Sequence, residues 1–224
     1  MSVLLNFKQI HDTINRACEK VNRNPDEITI IGVTKYVTIE RTEEVIGAGI
    51  ENIGENRTEE LIDKFSHIGN RVNWHFIGTL QSRKVKDIIN KVTAIHSVDR
   101  LSLARQISNR ADSPIDCFVQ VNVAGEESKH GLSTKEVIPF IEKLSTYKNI
   151  RIVGLMTMAP HIADDQKLRA VFKKMATLRD TVKGKGLIHA PCNYLSMGMS
   201  NDYEIAIEEG ATHIRIGSKL VGSE

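Results

Sequence analysis

Ile28-Thr29-Ile30-Ile31-Gly32-Val33-Thr34-Lys35 is a run of β-branched and apolar residues that stops at an amine. A stretch this short and this apolar, bounded by polar residues, reads as a strand over 29–34 buried on both faces. Strands of that kind belong to parallel sheets covered by helices, and the flanking sequence supplies the helices. Leu4, Phe7, Ile10, Ile14 and Ala17 recur at helical spacing ahead of the run, and Val45, Ile46, Ala48 and Gly49 do so after it. Further strand-like runs follow at 51–54, 73–77, 94–98, 116–123, 151–156, 194–196 and 213–216. Helical patterns lie between them, for example Val137, Ile138, Ile141 and Leu144, or Val171, Phe172, Met175 and Leu178. Such alternation defines an α/β chain with a parallel sheet. An open doubly wound sheet and a closed barrel compete. Eight strands in 224 residues, near the usual ~250 for the closed form, favour a single (β/α)8 TIM barrel with an extra N-terminal helix. The run 51–54 holds the fewest apolar residues. No Pro-, Gly- or Ser-rich linker interrupts the sequence, so one domain over 1–224 is expected.

Composition removes several classes of function. A net charge of +2, from 30 basic and 28 acidic residues, gives no electrostatic footprint for nucleic acid. Aromatic residues make up 5% of the chain, too few for base-stacking platforms. Cys18, Cys117 and Cys192 are widely spaced and form no C-x-x-C pair, which argues for reduced, buried thiols and against a zinc or redox motif. The first 19 residues lack the apolar segment of a secretory signal, and no run of apolar residues is long enough to span a membrane. A cytoplasmic location is expected.

In a barrel of this type, functional groups gather where strands end. Lys35 ends the first strand and by the period of two shares a face with Ile31 and Val33. If that face is the interior, partial desolvation favours the neutral amine, the form that attacks a carbonyl. The seventh strand runs into Ser196-Met197-Gly198-Met199-Ser200-Asn201-Asp202, where a glycine permits close backbone approach and Ser200 is placed to cap the next helix. The eighth ends in Gly217-Ser218. Phosphate sites recur after strands seven and eight of such barrels. An aldehyde-reactive lysine facing a phosphate cradle points to pyridoxal 5'-phosphate. Arg215, alternating with Ile214 and Ile216, is expected to point inward; its partner is the cofactor's pyridine nitrogen, the phosphate, or an internal carboxylate. Asn56 and His75 are expected at the same mouth, His75 because it alternates with Trp74 and Phe76. Gln120, Asn122, Met156 and Met158 line neighbouring strands, and the charged segment 126–131 reads as a solvated lid.

Taken together, Gly32-Val33-Thr34-Lys35, Ile53-Gly54-Glu55-Asn56, Trp74-His75-Phe76-Ile77-Gly78-Thr79-Leu80-Gln81, the segment 125–131, Gly154-Leu155-Met156-Thr157-Met158, Leu195–Ser200 and Arg215-Ile216-Gly217 resemble the pyridoxal phosphate homeostasis protein family. The match runs in family order over nearly the whole chain. The resemblance implies a barrel similar to the N-terminal domain of alanine racemase, with the cofactor held as an internal aldimine on Lys35. It also implies phosphate contacts from Ser196, Met199, Ser200, Gly217 and Ser218, with Arg215 beside the cofactor. Tyr36-Val37-Thr38 departs from the Thr-Lys-Pro-like continuation of many members, and the basic tail common in the family is absent.

Three functions compete. The first is a non-enzymatic carrier that keeps free pyridoxal phosphate low and passes it to apo-enzymes. The second is an amino-acid racemase dependent on the same cofactor, which needs an acid/base on each side of the cofactor plane. In alanine racemase the second base is a tyrosine from another domain, and none of the four tyrosines here is an obvious counterpart. The third is an isomerase using Lys35 on a sugar phosphate. The missing second base favours the carrier, and a monomer is expected.

Overall fold

The apolar run after Ile28 forms strand β1 (Thr29–Val33), which pairs in parallel with β2 (Asn52–Glu55) on one side and β8 (His213–Ile216) on the other. That second pairing decides between the two closures. Strands β3 (Asn73–Phe76), β4 (Ala94–Val98), β5 (Ile115–Gln120), β6 (Ile150–Met156) and β7 (Tyr194–Met199) complete the ring in sequence order, leaving no edge. The structure, a computed structural model, describes residues 2–125, 130–160 and 164–222. Segment 126–129, most of the lid read from the sequence, lies outside the described residues.

Helices α1 (Val3–Glu19), α2 (Ile39–Gly47), α3 (Thr58–Ile68), α4 (Val85–Ile88), α5 (Leu101–Arg110), α6 (Thr134–Lys143), α7 (Asp165–Gly184), α8 (Tyr203–Glu208) and α9 (Ser218–Val221) surround the ring. Their starts are written in the sequence. The side chain of Thr38 accepts the Arg41 N–H at 3.2 Å ahead of α2. Asp164 accepts from Gln166 and Lys167 ahead of α7. Ser133 and Glu136 form a capping box at α6. The extra helix α1 buries Val3, Ile10, Ile14 and Ala17 and packs against α8 and α9. Leu4, read as part of that stripe, is exposed, because the buried row starts one residue earlier at Val3.

Alternation along each strand sorts residues between two layers. Trp74 and Phe76 on β3, and Ile214 and Ile216 on β8, join the large apolar layer between sheet and helices. Each such side chain contributes roughly 1.5–3 kcal/mol on burial. Ala94, Phe118, Val153 and Met156 form a second, smaller cluster. Polar side chains of the strands therefore collect inside the ring, where branched apolar layers are the usual filling.

Most strands lie within one residue of the sequence reading; β1 stops at Val33, β3 at Phe76, and β5 and β6 each start one residue early, while the differences in β2, β5 and β7 bear on the site. Strand β2 runs one residue later than 51–54, through Glu55. Strand β5 stops at Gln120 rather than 123, with only an isolated bridge from Val121 to Leu132. Strand β7 continues to Met199 instead of ending at 196, with a register shift against β8 between Ser196 and Met199. Gly198 makes that irregularity possible: its φ is +92°, and a Cβ there would sit 2.6 Å from the Ala206 Cβ on α8.

Candidate functional site

A cavity of about 600 Å³ opens at the ends of the strands, lined by residues that follow β1, β2, β3, β6, β7 and β8. Lys35, Asn56, Met199, Ser200, Arg215, Gly217 and Ser218 all line it. These expected positions meet in one space, from four strand ends, those of β1, β2, β7 and β8.

Lys35 follows β1 by two residues and is exposed at the mouth rather than desolvated, because the chain turns away directly after it. The Lys35 Nζ lies 5.5 Å from the Tyr36 ring centroid, and its base is held by bonds to the preceding residue. Thr34 is buried, and its N–H donates to the Gly54 carbonyl at 3.2 Å. Lys64, on α3, donates to the Thr34 carbonyl at 2.5 Å and to Glu55 Oε1 at 2.7 Å, while Thr34 Oγ1 donates to the same oxygen at 2.6 Å. Lys64 and Glu55 are 4% and 0% exposed, so this is a fully buried ion pair clamped to the peptide that carries Lys35. Burial pushes the Glu55 carboxyl above its ordinary range, and the Lys64 ammonium opposes that rise. Tyr36 has a φ of +66°, a region costly for a side chain of its size. Its N–H donates to Glu60 Oε2 at 3.1 Å, and the Arg57 guanidinium lies 4.9 Å from its ring centroid.

Asn56 donates from Nδ2 to the Tyr36 hydroxyl at 3.4 Å, whereas its Oδ1 is buried without a hydrogen-bond partner among the described residues. Gly78 lets the loop after β3 lie against it; a Cβ at Gly78 would come within 2.1 Å of the Asn56 carbonyl oxygen. Across the cavity, the Lys219 N–H donates to Ser200 Oγ at 3.4 Å, tying the loop after β7 to the start of α9. Ser200 is not the helix cap expected of it. Asp202 occupies the N-cap of α8, and its carboxylate accepts the Met199 N–H at 2.5 Å.

Arg215 forms part of the cavity floor and is 4% exposed. It donates to Ser196 Oγ at 2.7 Å and to the Thr157 carbonyl at 2.9 Å. Among the described residues it makes no ion pair with a carboxylate, and both of these partners are uncharged oxygens. Burial pulls its pKa down to about 10, opposed by Asp202, and it remains charged at neutral pH. Ser196 lies beneath this floor and does not line the cavity. His75, expected at the same mouth, lines instead an opening of about 220 Å³ at the other end of the ring. It sits second to last on a four-residue strand, one level too deep, in register with Gly54.

Sequence reasoning missed the Lys64–Glu55 pair, His96, and the cavity positions Gly78 and Asp202. Lys64 was detectable: α3 buries Thr58, Leu61, Lys64 and Ile68, so a lysine stands on its apolar stripe. His96 follows Ala94 by two on β4 and so shares its face.

The arrangement sets an amine at one side of a cavity and, at the other, hydroxyls and backbone of two strand-end loops, with a buried cation on the floor. That donor set fits a ligand that carries both a carbonyl and an anionic group. The unpartnered Asn56 Oδ1 adds a place for a donor on the ligand.

Comparison with known proteins was consistent with this geometry. The family described as alanine racemase, N-terminal domain, matches residues 7–224. A pyridoxal phosphate homeostasis protein of Aquifex aeolicus is 37% identical over 226 residues, covering 99% of this chain and 98% of that one. The crystal structure of an unknown protein from Bifidobacterium adolescentis superposes with a TM-score of 0.93 at 32% identity, covering 98% of this chain and 94% of that one. The structure of PipY of Synechococcus elongatus with pyridoxal phosphate bound gives a TM-score of 0.81 at 28% identity, covering 94% and 100%.

Proposed function

The chain belongs to the alanine racemase N-terminal domain family, alongside the pyridoxal phosphate homeostasis proteins, and on that premise we propose that it binds pyridoxal 5'-phosphate covalently through Lys35 and holds it without catalytic turnover. The observation that carries this reading is the shared cavity: the Lys35 amine and the Met199–Ser200 and Gly217–Ser218 loops open into one space. The cofactor's aldehyde supplies a reversible covalent link to an amine, undone by water or by a competing amine. Around it, Lys35 binds, Ser200 and Ser218 donate to the phosphate together with neighbouring backbone, Asn56 orients the ring, and Arg215 holds a fixed positive charge. Recipient apo-enzymes with their own reactive lysine would take the cofactor by exchange.

A racemase is disfavoured by the cavity itself. Its titratable lining among the described residues is Lys35, Asp202 and Arg215. Arg215 does not release a proton near neutrality, and Asp202 already accepts the Met199 N–H at Oδ1. Among the described lining residues that leaves Lys35 as the group placed for proton transfer, where exchange on two faces needs two. No helix of the described residues is long and apolar enough to cross a membrane.

Purified protein loaded with pyridoxal phosphate should absorb near the visible edge and gain the mass of one reduced cofactor after borohydride treatment. Lys35→Ala should abolish both signals; a covalent adduct of equal yield in that variant would refute the assignment. Ser200→Ala with Ser218→Ala should speed cofactor release several-fold, and unchanged release would remove those hydroxyls from the site.

A further inference from the structure

Four hydrogen bonds cross the barrel interior from the cavity floor to the opening at the other end. Arg215 NH1 lies 2.7 Å from Ser196 Oγ, and Ser196 Oγ lies 2.9 Å from His96 Nδ1. His96 Nε2 lies 2.9 Å from His75 Nδ1, and His75 Nε2 lies 3.1 Å from Asn52 Oδ1. Every link except Asn52 is at least nine-tenths buried. With both rings neutral, the two ends fix the direction of all four bonds. A guanidinium only donates, so Ser196 Oγ accepts from Arg215 and its one proton must go elsewhere. At the far end Asn52 Oδ1 only accepts, and it also receives the Asn73 amide at 3.2 Å. His75 therefore carries its proton on Nε2 and accepts at Nδ1 from the Nε2–H of His96. His96 in turn accepts at Nδ1 from the Ser196 hydroxyl. Each histidine is neutral in this arrangement, with one donor and one acceptor nitrogen, and burial lowers the pKa of both, His75 to about 3. The His96 ring cannot swing aside, being stacked on Phe118 at 4.2 Å between centroids and 15° between planes.

We propose that Ser196, His96, His75 and Asn52 form a one-way hydrogen-bond chain that positions Arg215, fixing the plane of its guanidinium so that its remaining N–H groups face the cofactor cavity. His96 is the central positioning residue: it keeps the Ser196 proton pointed away from Arg215 and the oxygen lone pair pointed toward it. The proposal rests on the cofactor-binding reading only in what the chain serves; its direction follows from the protein's own groups.

Two measurements test it. Long-range 1H–15N spectra of the histidine rings in the cofactor-free protein should show both His75 and His96 neutral with the proton on Nε2 at pH 7. A proton on Nδ1 of either ring, or a charged ring, overturns the chain whether or not pyridoxal phosphate binds. The second is a double-mutant cycle on the cofactor-loaded protein. His96→Phe keeps the stacking on Phe118 and removes the acceptor. It should speed cofactor loss about 3- to 10-fold, the size of one hydrogen bond, and shift the absorption maximum. In an Arg215→Ala background the same replacement should change neither appreciably. Equal effects in both backgrounds, or no effect in either, would show that His96 does not act through Arg215. If His96→Phe does not fold, Asn52→Leu at the open end enters the same cycle with the same expectation. Wild-type protein that gains no mass on borohydride treatment would refute cofactor binding, while the ring spectra would still decide the chain.

Discussion

Lys64→Met tests whether the buried pair behind Lys35 is what fixes the root of that residue. The replacement keeps length and apolar volume but removes the ammonium that bonds Glu55 Oε1 at 2.7 Å and the Thr34 carbonyl at 2.5 Å. Glu55, with no exposed surface, is left with the Thr34 hydroxyl alone, since its Oε2 already lacks a partner. Stranding a charge in this way costs about 3–5 kcal/mol. For a chain of this length each kcal/mol lowers the melting temperature by roughly 2–4 °C, so a fall on the order of 10 °C is expected by calorimetry at pH 7.5. The pH dependence has a definite sign. Without Lys64 only burial acts strongly on Glu55, raising its pKa further above the ordinary 4.5. A carboxyl that is protonated when folded and ionised when unfolded makes stability fall as pH rises above about 4.5. The deficit should therefore shrink at pH 5.5 relative to pH 7.5. Adding Glu55→Leu should recover much of the loss, because an apolar pair leaves no stranded charge. A melting temperature within about 2 °C of the wild type, or a deficit that grows on acidification, would refute this account.

Gly78→Ala should disable the site while touching no reactive group. Its methyl would need room 2.1 Å from the Asn56 carbonyl oxygen, a backbone atom that cannot rotate away. A loss of about 1–3 kcal/mol is expected on thermal unfolding, together with weaker cofactor retention by dialysis and absorbance. Cys18, Cys117 and Cys192 are all buried, and burial pushes every one of their pKa values up, Cys192 to about 12. Ellman's reagent should therefore label none of them rapidly in the native protein and all three after denaturation; rapid labelling of a native thiol would contradict their burial.

Much of this molecule was legible because two periodicities carry the information. The period of two placed Ile214 and Ile216 outward and Arg215 inward, and the alternation of strands and helices gave eight strands in ring order. The ends of β1, β7 and β8 located the cavity from sequence alone, since function in this architecture gathers at strand ends. Depth was less legible than side. His75 and Asn56 both face inward, but how far along the barrel axis each lies depends on strand length and stagger, which no local pattern states. His75 thus fell to the lower opening and Asn56 to the upper. Contacts between elements were hidden altogether. Nothing local to Lys64 says that Glu55 will meet it, and Ser200 looked like a cap until Asp202 occupied that position.

The two cations that define the cavity are anchored in the same way from opposite sides of the sheet. Lys35 is exposed at its tip, but its preceding carbonyl is gripped by Lys64 from the helical layer. Arg215 is gripped from inside the ring by Ser196, itself backed by His96 and His75. Neither network has to be the most stable filling for its space. A buried ion pair is commonly matched or bettered by apolar residues of like volume, and barrel interiors are ordinarily filled with branched side chains. What the polar filling supplies is direction, since an ion pair and a hydrogen-bond chain each have one satisfied geometry where an apolar cluster tolerates many. The proposed role, holding an aldehyde without transforming it, gives reason for such a design. It needs one amine free to reach the ligand and release it, and a second cation that cannot move or give up its proton.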